Sequence, residues 1–148
     1  MRVAGTVSPV SVDVRARVRE QADHRCGYCR SPQHLVLGQL EIEHLTPRTR
    51  GGTDEESNLW LACRMCNNAK RAQTHAVDPL TGRRVRLYNP RLQRWSRHFT
   101  WSGDGTQVMG RTPTGRASVV AIQLNNLIAV LVRRSWVSAG WHPPHDDH

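Results

Sequence analysis

The chain has 148 residues, a formal net charge of +9 and a pI near 10.9. That length suits one domain, which buries roughly 68–70% of the surface its unfolded chain exposes. The charge comes mostly from Arg and points to a polyanionic partner, while the absence of a long apolar run argues against a membrane protein.

Met1 to Ser11 reads as a flexible lead-in, broken by Gly5 and Pro9. Val12 to Ala22 is expected to be a helix, with Val14 and Val18 on one face and Arg15, Arg17 and Arg19 between them. Cys26-Gly27-Tyr28-Cys29 forms a tight knuckle, in which Gly27 is expected to relieve the turning backbone. Leu40 to Leu45 alternates apolar and polar residues and predicts a strand. On that strand Glu41 and Glu43 share one face, and His44 falls on the other with Ile42. Pro47 to Ser57 is a polar loop, and Asn58 to Ala62 is a short apolar strand or helical turn. Arg64 to about His75 lacks Pro and Gly and predicts a helix.

Asp78 to Gly82 is a turn, and the segment from Arg83 to Arg91 is basic and extended. Leu92 to Phe99 predicts a short helix with Trp95 and Phe99 in the core. Arg84, Arg86, Arg91, Arg94, Arg97, Arg111 and Arg116 form a candidate track for a nucleic-acid backbone. Gly103-Asp104-Gly105 is a turn before a strand at Thr106 to Arg111. Thr112 as N-cap and Pro113 open a helix expected to run to about Val137. Its buried stripe would be Val119, Ile122, Leu127, Val130 and Leu131. The most apolar stretch, Val119 to Val132, is broken by Gln123, Asn125 and Asn126 and cannot span a bilayer. With no apolar leader at its start, the protein is expected in the cytoplasm, where thiols stay reduced. The expected organisation is a lead-in at 1–11, a single domain at 12–141 and a disordered tail at 142–148. Within the domain, residues 26–75 form the motif core and 76–141 a C-terminal extension.

The four cysteines occur as two Cys-x-x-Cys pairs, Cys26/Cys29 and Cys63/Cys66, with 33 residues between the pairs. Four thiolates fill a tetrahedral zinc site and leave no open position, so that zinc would be structural. The long insert carries Glu43, His44, the loop glycines Gly51 and Gly52, and Asn58, while Asn67 and Lys70 follow the second pair.

This constellation resembles the HNH endonuclease family, in the variety that binds zinc through two Cys-x-x-Cys pairs. The family core is an acid–His pair, a central Asn and a final His or Asn. Here those positions are Glu43, His44, Asn58 and Asn67, with 13 residues between His44 and Asn58 and 8 between Asn58 and Asn67. The resemblance implies an α+β fold: a ββα-metal (His-Me finger) core stapled by the four-cysteine zinc site, with flanking helices. It implies metal-dependent hydrolysis of phosphodiester bonds in DNA. His44 would be the general base, a role that histidine's near-neutral pKa suits. Glu43 and Asn67 would hold one Mg2+ or Mn2+ ion, with Glu41 the less favoured substitute for Glu43. Asn58 would fix the loop and orient His44, and Arg48, Arg50, Lys70 and Arg71 would contact the nucleic acid. DNA is the expected partner, with RNA, monomer and homodimer all left open. The rival expectation is a zinc-stabilised module that binds nucleic acid without cutting it.

Overall fold

The computed structural model describes residues 10–145. Helix α1 (Val12–Gln21) starts where the Ser11 side chain accepts a hydrogen bond from the Val14 amide. Satisfying an orphan N–H in this way is worth about 1 kcal/mol. Strand β1 (Glu41–His44) pairs antiparallel with β2 (Leu59–Ala62), so that Glu41 faces Ala62 and His44 faces Leu59. Helix α2 (Arg64–Lys70) follows β2 and packs on β1.

Helix α2 stops well short of His75. Arg71 takes a left-handed φ of 53°, and the Gln73 side chain donates to the carbonyls of Ala69 and Lys70. The helical composition beyond it is overridden by pairing. His75–Val77 (β3) forms a hairpin with Arg84–Arg86 (β4) across the Asp78 turn. Buried Asp78 takes two hydrogen bonds from Arg116 and one from Thr81. The Arg116 guanidinium holds the Asp78 carboxyl well below the usual carboxylate range.

A short helix α3 (Trp95–His98) leads into β5 (Phe99–Trp101), which pairs antiparallel with β6 (Val108–Gly110). Helix α4 (Pro113–Ala121) has Thr112 as its N-cap and Pro113 in its first turn, as the sequence predicts. It does not continue to Val137. Gln123 turns left-handed at φ 55°, and Asn126 caps a separate helix α5 (Leu127–Ala139) by accepting from the Ala129 amide. Asn125 causes the break. Its side chain bonds both the amide and the carbonyl of Val108, which pulls the chain out of the helix toward β6. Of the expected stripe, Ile122 is buried, whereas Leu127 and Leu131 are 73% and 48% exposed. The break rotates the second half away from the core.

A single core gathers Tyr28, Leu40, Leu61, Trp95, Phe99, Val108, Ile122 and Leu124 around the four cysteines. Trp95 donates its indole N–H to the Tyr28 carbonyl at 2.8 Å and stacks near Phe99 and Trp101. The extension after residue 75 therefore packs directly on the first knuckle. The expected tail also differs at its start. His142 is buried, bonds the Gly105 carbonyl and packs against Trp101 and Trp136, while residues 146–148 lie outside the described segment. Among the described residues, no helix is long and apolar enough to cross a membrane.

Candidate metal centre and catalytic face

The two knuckles meet in the core. Cys26, Cys29, Cys63 and Cys66 are all buried, and their sulfurs lie within 4.8 Å of one another. Thiolates at about 2.3 Å from a tetrahedral ion stand about 3.8 Å apart. Cys29 and Cys63 are 3.7 Å apart, so the cluster fits a structural zinc. Cys63 is also the N-cap of α2, its sulfur accepting from the Cys66 amide. The residues that would bind zinc thus also start the helix that carries Asn67. Gly27 is required for a packing reason rather than for a special backbone angle. The Trp60 ring lies where its side chain would be.

Tyr28, between the first two cysteines, links this cluster to β1. Its hydroxyl donates to the Glu43 carboxylate at 2.6–2.7 Å. On the other side of Glu43 stands Lys70, with Nζ 2.9 Å from Oε1. The Lys70 ammonium also donates to the carbonyls of His44 and Leu45 at 3.4 and 3.2 Å. Glu43 and Lys70 are 2% and 3% exposed. Burial pushes the Glu43 carboxyl up, and the neighbouring ammonium and phenol oppose that shift. Two expected placements are thereby corrected. Lys70 is not on the surface where a phosphate could meet it, and Glu43 faces inward, engaged by Lys70 and Tyr28. The acid that meets Asn67 is Glu41, whose Oε1 accepts from Asn67 Nδ2 at 2.9 Å.

His44 lies on the opposite, open side of the strand. It lines two adjoining cavities of about 670 and 210 Å³. The smaller one also contains Ile42, Arg48, Asn67 and Arg71. His44 Nε2 is 2.7 Å from Asp54 Oδ1, and Arg48 donates to the same oxygen at 2.6 and 2.9 Å. These bonds, that from His44 first, hold the Asp54 carboxyl below its usual value. With Nε2–H engaged by a carboxylate, a neutral His44 keeps its free lone pair on Nδ1.

Asn58 fixes the loop but not the histidine. Its side chain accepts from the Thr46 amide and donates to the carbonyls of Thr46 and Thr53, closing the loop at both ends. The partner that orients His44 is Asp54, which the sequence reading missed. The available signal was an acid just after Gly51-Gly52, in a loop that returns toward the strand. Gly52 is needed because a side chain there would collide with the Thr46 carbonyl, whereas Gly51 adopts φ 85°. Arg50 is tied to the Ala72 carbonyl just past α2, and Arg71 is exposed beside the smaller cavity. Farther away, Arg91 and Arg116 serve the fold. Arg91 donates to the Leu59 carbonyl and lies over Trp60, and Arg116 holds Asp78.

Residues 26–73 match the family model of the HNH endonucleases. The match takes in both cysteine pairs, β1, the loop, β2 and α2, roughly a third of the chain. No curated protein and no solved structure matches the chain. Residues 26–73 thus resemble a family of nucleases, and the four cysteines within them are placed to hold a metal ion.

Proposed function

We propose that the HNH segment hydrolyses phosphodiester bonds in DNA with the aid of one divalent ion, His44 acting as general base. The observation that carries this reading is His44 itself. It stands on an open face beside Asn67 and Arg71, with Nε2 held by Asp54 at 2.7 Å. That bond fixes the ring and leaves Nδ1 to take a proton from an attacking water. Arg71 and Arg48 supply guanidiniums for the phosphate beside the reacting bond. Asn58 acts at one remove, by closing the loop that carries Asp54.

The donors near Asn67 are hard oxygens, which suit Mg2+ or Mn2+. Such an ion, held by Asn67 and an acid of β1, would offset charge on the scissile phosphate and the leaving oxygen. Glu41 is the acid already beside Asn67. Glu43 can serve only by exchanging the Lys70 ammonium. Glu41→Gln and Glu43→Gln, each compared for Mn2+ binding by calorimetry, separate the two assignments.

The deciding experiment is plasmid nicking by the purified chain with and without Mg2+ or Mn2+, beside His44→Ala. Zinc content is measured in both samples. The expected result is cutting that needs the divalent ion and falls by about 10²-fold or more in the variant, with zinc retained. Zinc-loaded protein that shifts the plasmid but cuts no DNA or RNA would favour a binding module instead.

A further inference from the structure

The larger cavity beside His44 is a groove between α1 and the free edge of β1. It is lined by Arg15 and Arg19 of α1, Glu41, Ile42 and His44 of β1, and Arg48. The smaller cavity shares Ile42, His44 and Arg48, so His44 stands where the two meet. Arg71 lies in one arm, and Arg15 and Arg19 lie in the other. The three arginines of α1 are divided by the helical period. Arg15 and Arg19, four residues apart, face the groove. Arg17 is directed elsewhere, into an ion pair with Glu56 at 2.9 Å. Arg15 and Arg19 each donate to a backbone carbonyl, those of Val10 and Leu40. Among the described residues neither is neutralised by a carboxylate. Two guanidiniums that line the groove are thus each anchored to a backbone carbonyl through one N–H. That is the arrangement that binds phosphate oxygens.

We propose that this groove is the second arm of the nucleic-acid site, in which Arg15 and Arg19 contact backbone phosphates flanking the one at His44. The inference rests on the reading of the His44 face as a nucleic-acid site. The contact is with phosphate and carries no base sequence. A strand laid across His44 is then held on both sides, by α1 on one and by Arg71 on the other.

The test uses the full chain carrying His44→Ala, so that nothing is cut, and a fluorescent duplex DNA oligonucleotide read by anisotropy over a salt series. Each phosphate contact contributes about 0.9 to the slope of log affinity against log salt. Arg15→Ala/Arg19→Ala should lower that slope by nearly two. Between about 50 and about 200 mM salt, the parent should then lose roughly tenfold more affinity than the double variant. Arg17→Ala should leave the slope unchanged. Because Arg19 also braces the Leu40 carbonyl, Arg15→Glu is measured alone, with zinc content and circular dichroism as controls of folding. It should lower the slope by about one. A double variant with the parent's slope, or a loss no larger than that of Arg17→Ala, overturns the groove. Cleavage is not the readout. A parent that binds but does not cut defeats the nuclease reading, and the groove is still decided by the arginine comparison.

Discussion

Replacing Lys70 by Met removes a cation from the most enclosed ionic contact of the HNH segment. Lys70 Nζ stands 2.9 Å from Glu43 Oε1, and both residues are almost wholly buried. At an effective dielectric of about 20, opposite charges at that distance attract by about 6 kcal/mol, most of it offset by the cost of desolvating both groups. Removing one partner leaves the other buried and uncompensated, at a cost of about 3–5 kcal/mol. Met fills the volume, so the loss reports charge rather than a cavity. The sign with pH follows from Glu43. Its folded pKa is already raised from 4.5 by burial, and without Lys70 it rises further. A raised carboxyl stabilises the fold below its unfolded value, and that contribution is lost as pH climbs through the folded value. The destabilisation should therefore be small near pH 5 and approach its full size near pH 8. Urea unfolding followed by tryptophan fluorescence, wild type against variant at each pH, measures it. A difference below about 1 kcal/mol at both values would refute the reasoning, because the pair would then behave as an exposed one.

Three further outcomes follow from the geometry. Removing zinc with a strong chelator, or replacing Cys63 by Ser, should sharply lower the melting temperature, because the cluster lies in the core and Cys63 also caps α2; an unchanged melting curve counts against a structural metal. Asp54→Ala should leave zinc content and DNA binding intact but lower cleavage on the order of tenfold to a hundredfold, since His44 loses its orienting partner. Equal cleavage rates would show that Asp54 does not position the base. Asn126→Ala should cost about 1 kcal/mol in urea unfolding through loss of the α5 cap, and no measurable loss would mean that another group caps the helix.

Local chemistry made several elements legible. Thr112 caps the helix it precedes, because a side-chain oxygen can satisfy an orphan amide from that position, whereas the same role of Ser11 emerged only in the structure. The alternation at Leu40 to Leu45 gave β1, and the aromatic spacing gave a buried Trp95 and Phe99. Helix propensity misled where a distant partner competed for the same backbone. His75 pairs with Arg86, and Asn125 bonds Val108, so α2 ends early and the last helix breaks in two.

The HNH segment divides in the same way. Cysteine spacing by itself determined that four thiols could converge, since only a few ligand sets satisfy a tetrahedral ion. The acid–His pair, the loop glycines and the two asparagines likewise marked the chemistry along the chain. Which carboxylate meets Asn67, which one Lys70 neutralises and which one holds His44 were decided in three dimensions. Glu41 and Glu43 share a strand face and an identical charge. Only the packing of Tyr28 and Lys70 against one of them makes Glu43 a buried anchor and leaves Glu41 beside Asn67. Asp54 reaches His44 because Asn58 folds the intervening loop back on itself. A linear pattern lists such groups in order, but burial and hydrogen bonding are set by neighbours far away in the chain.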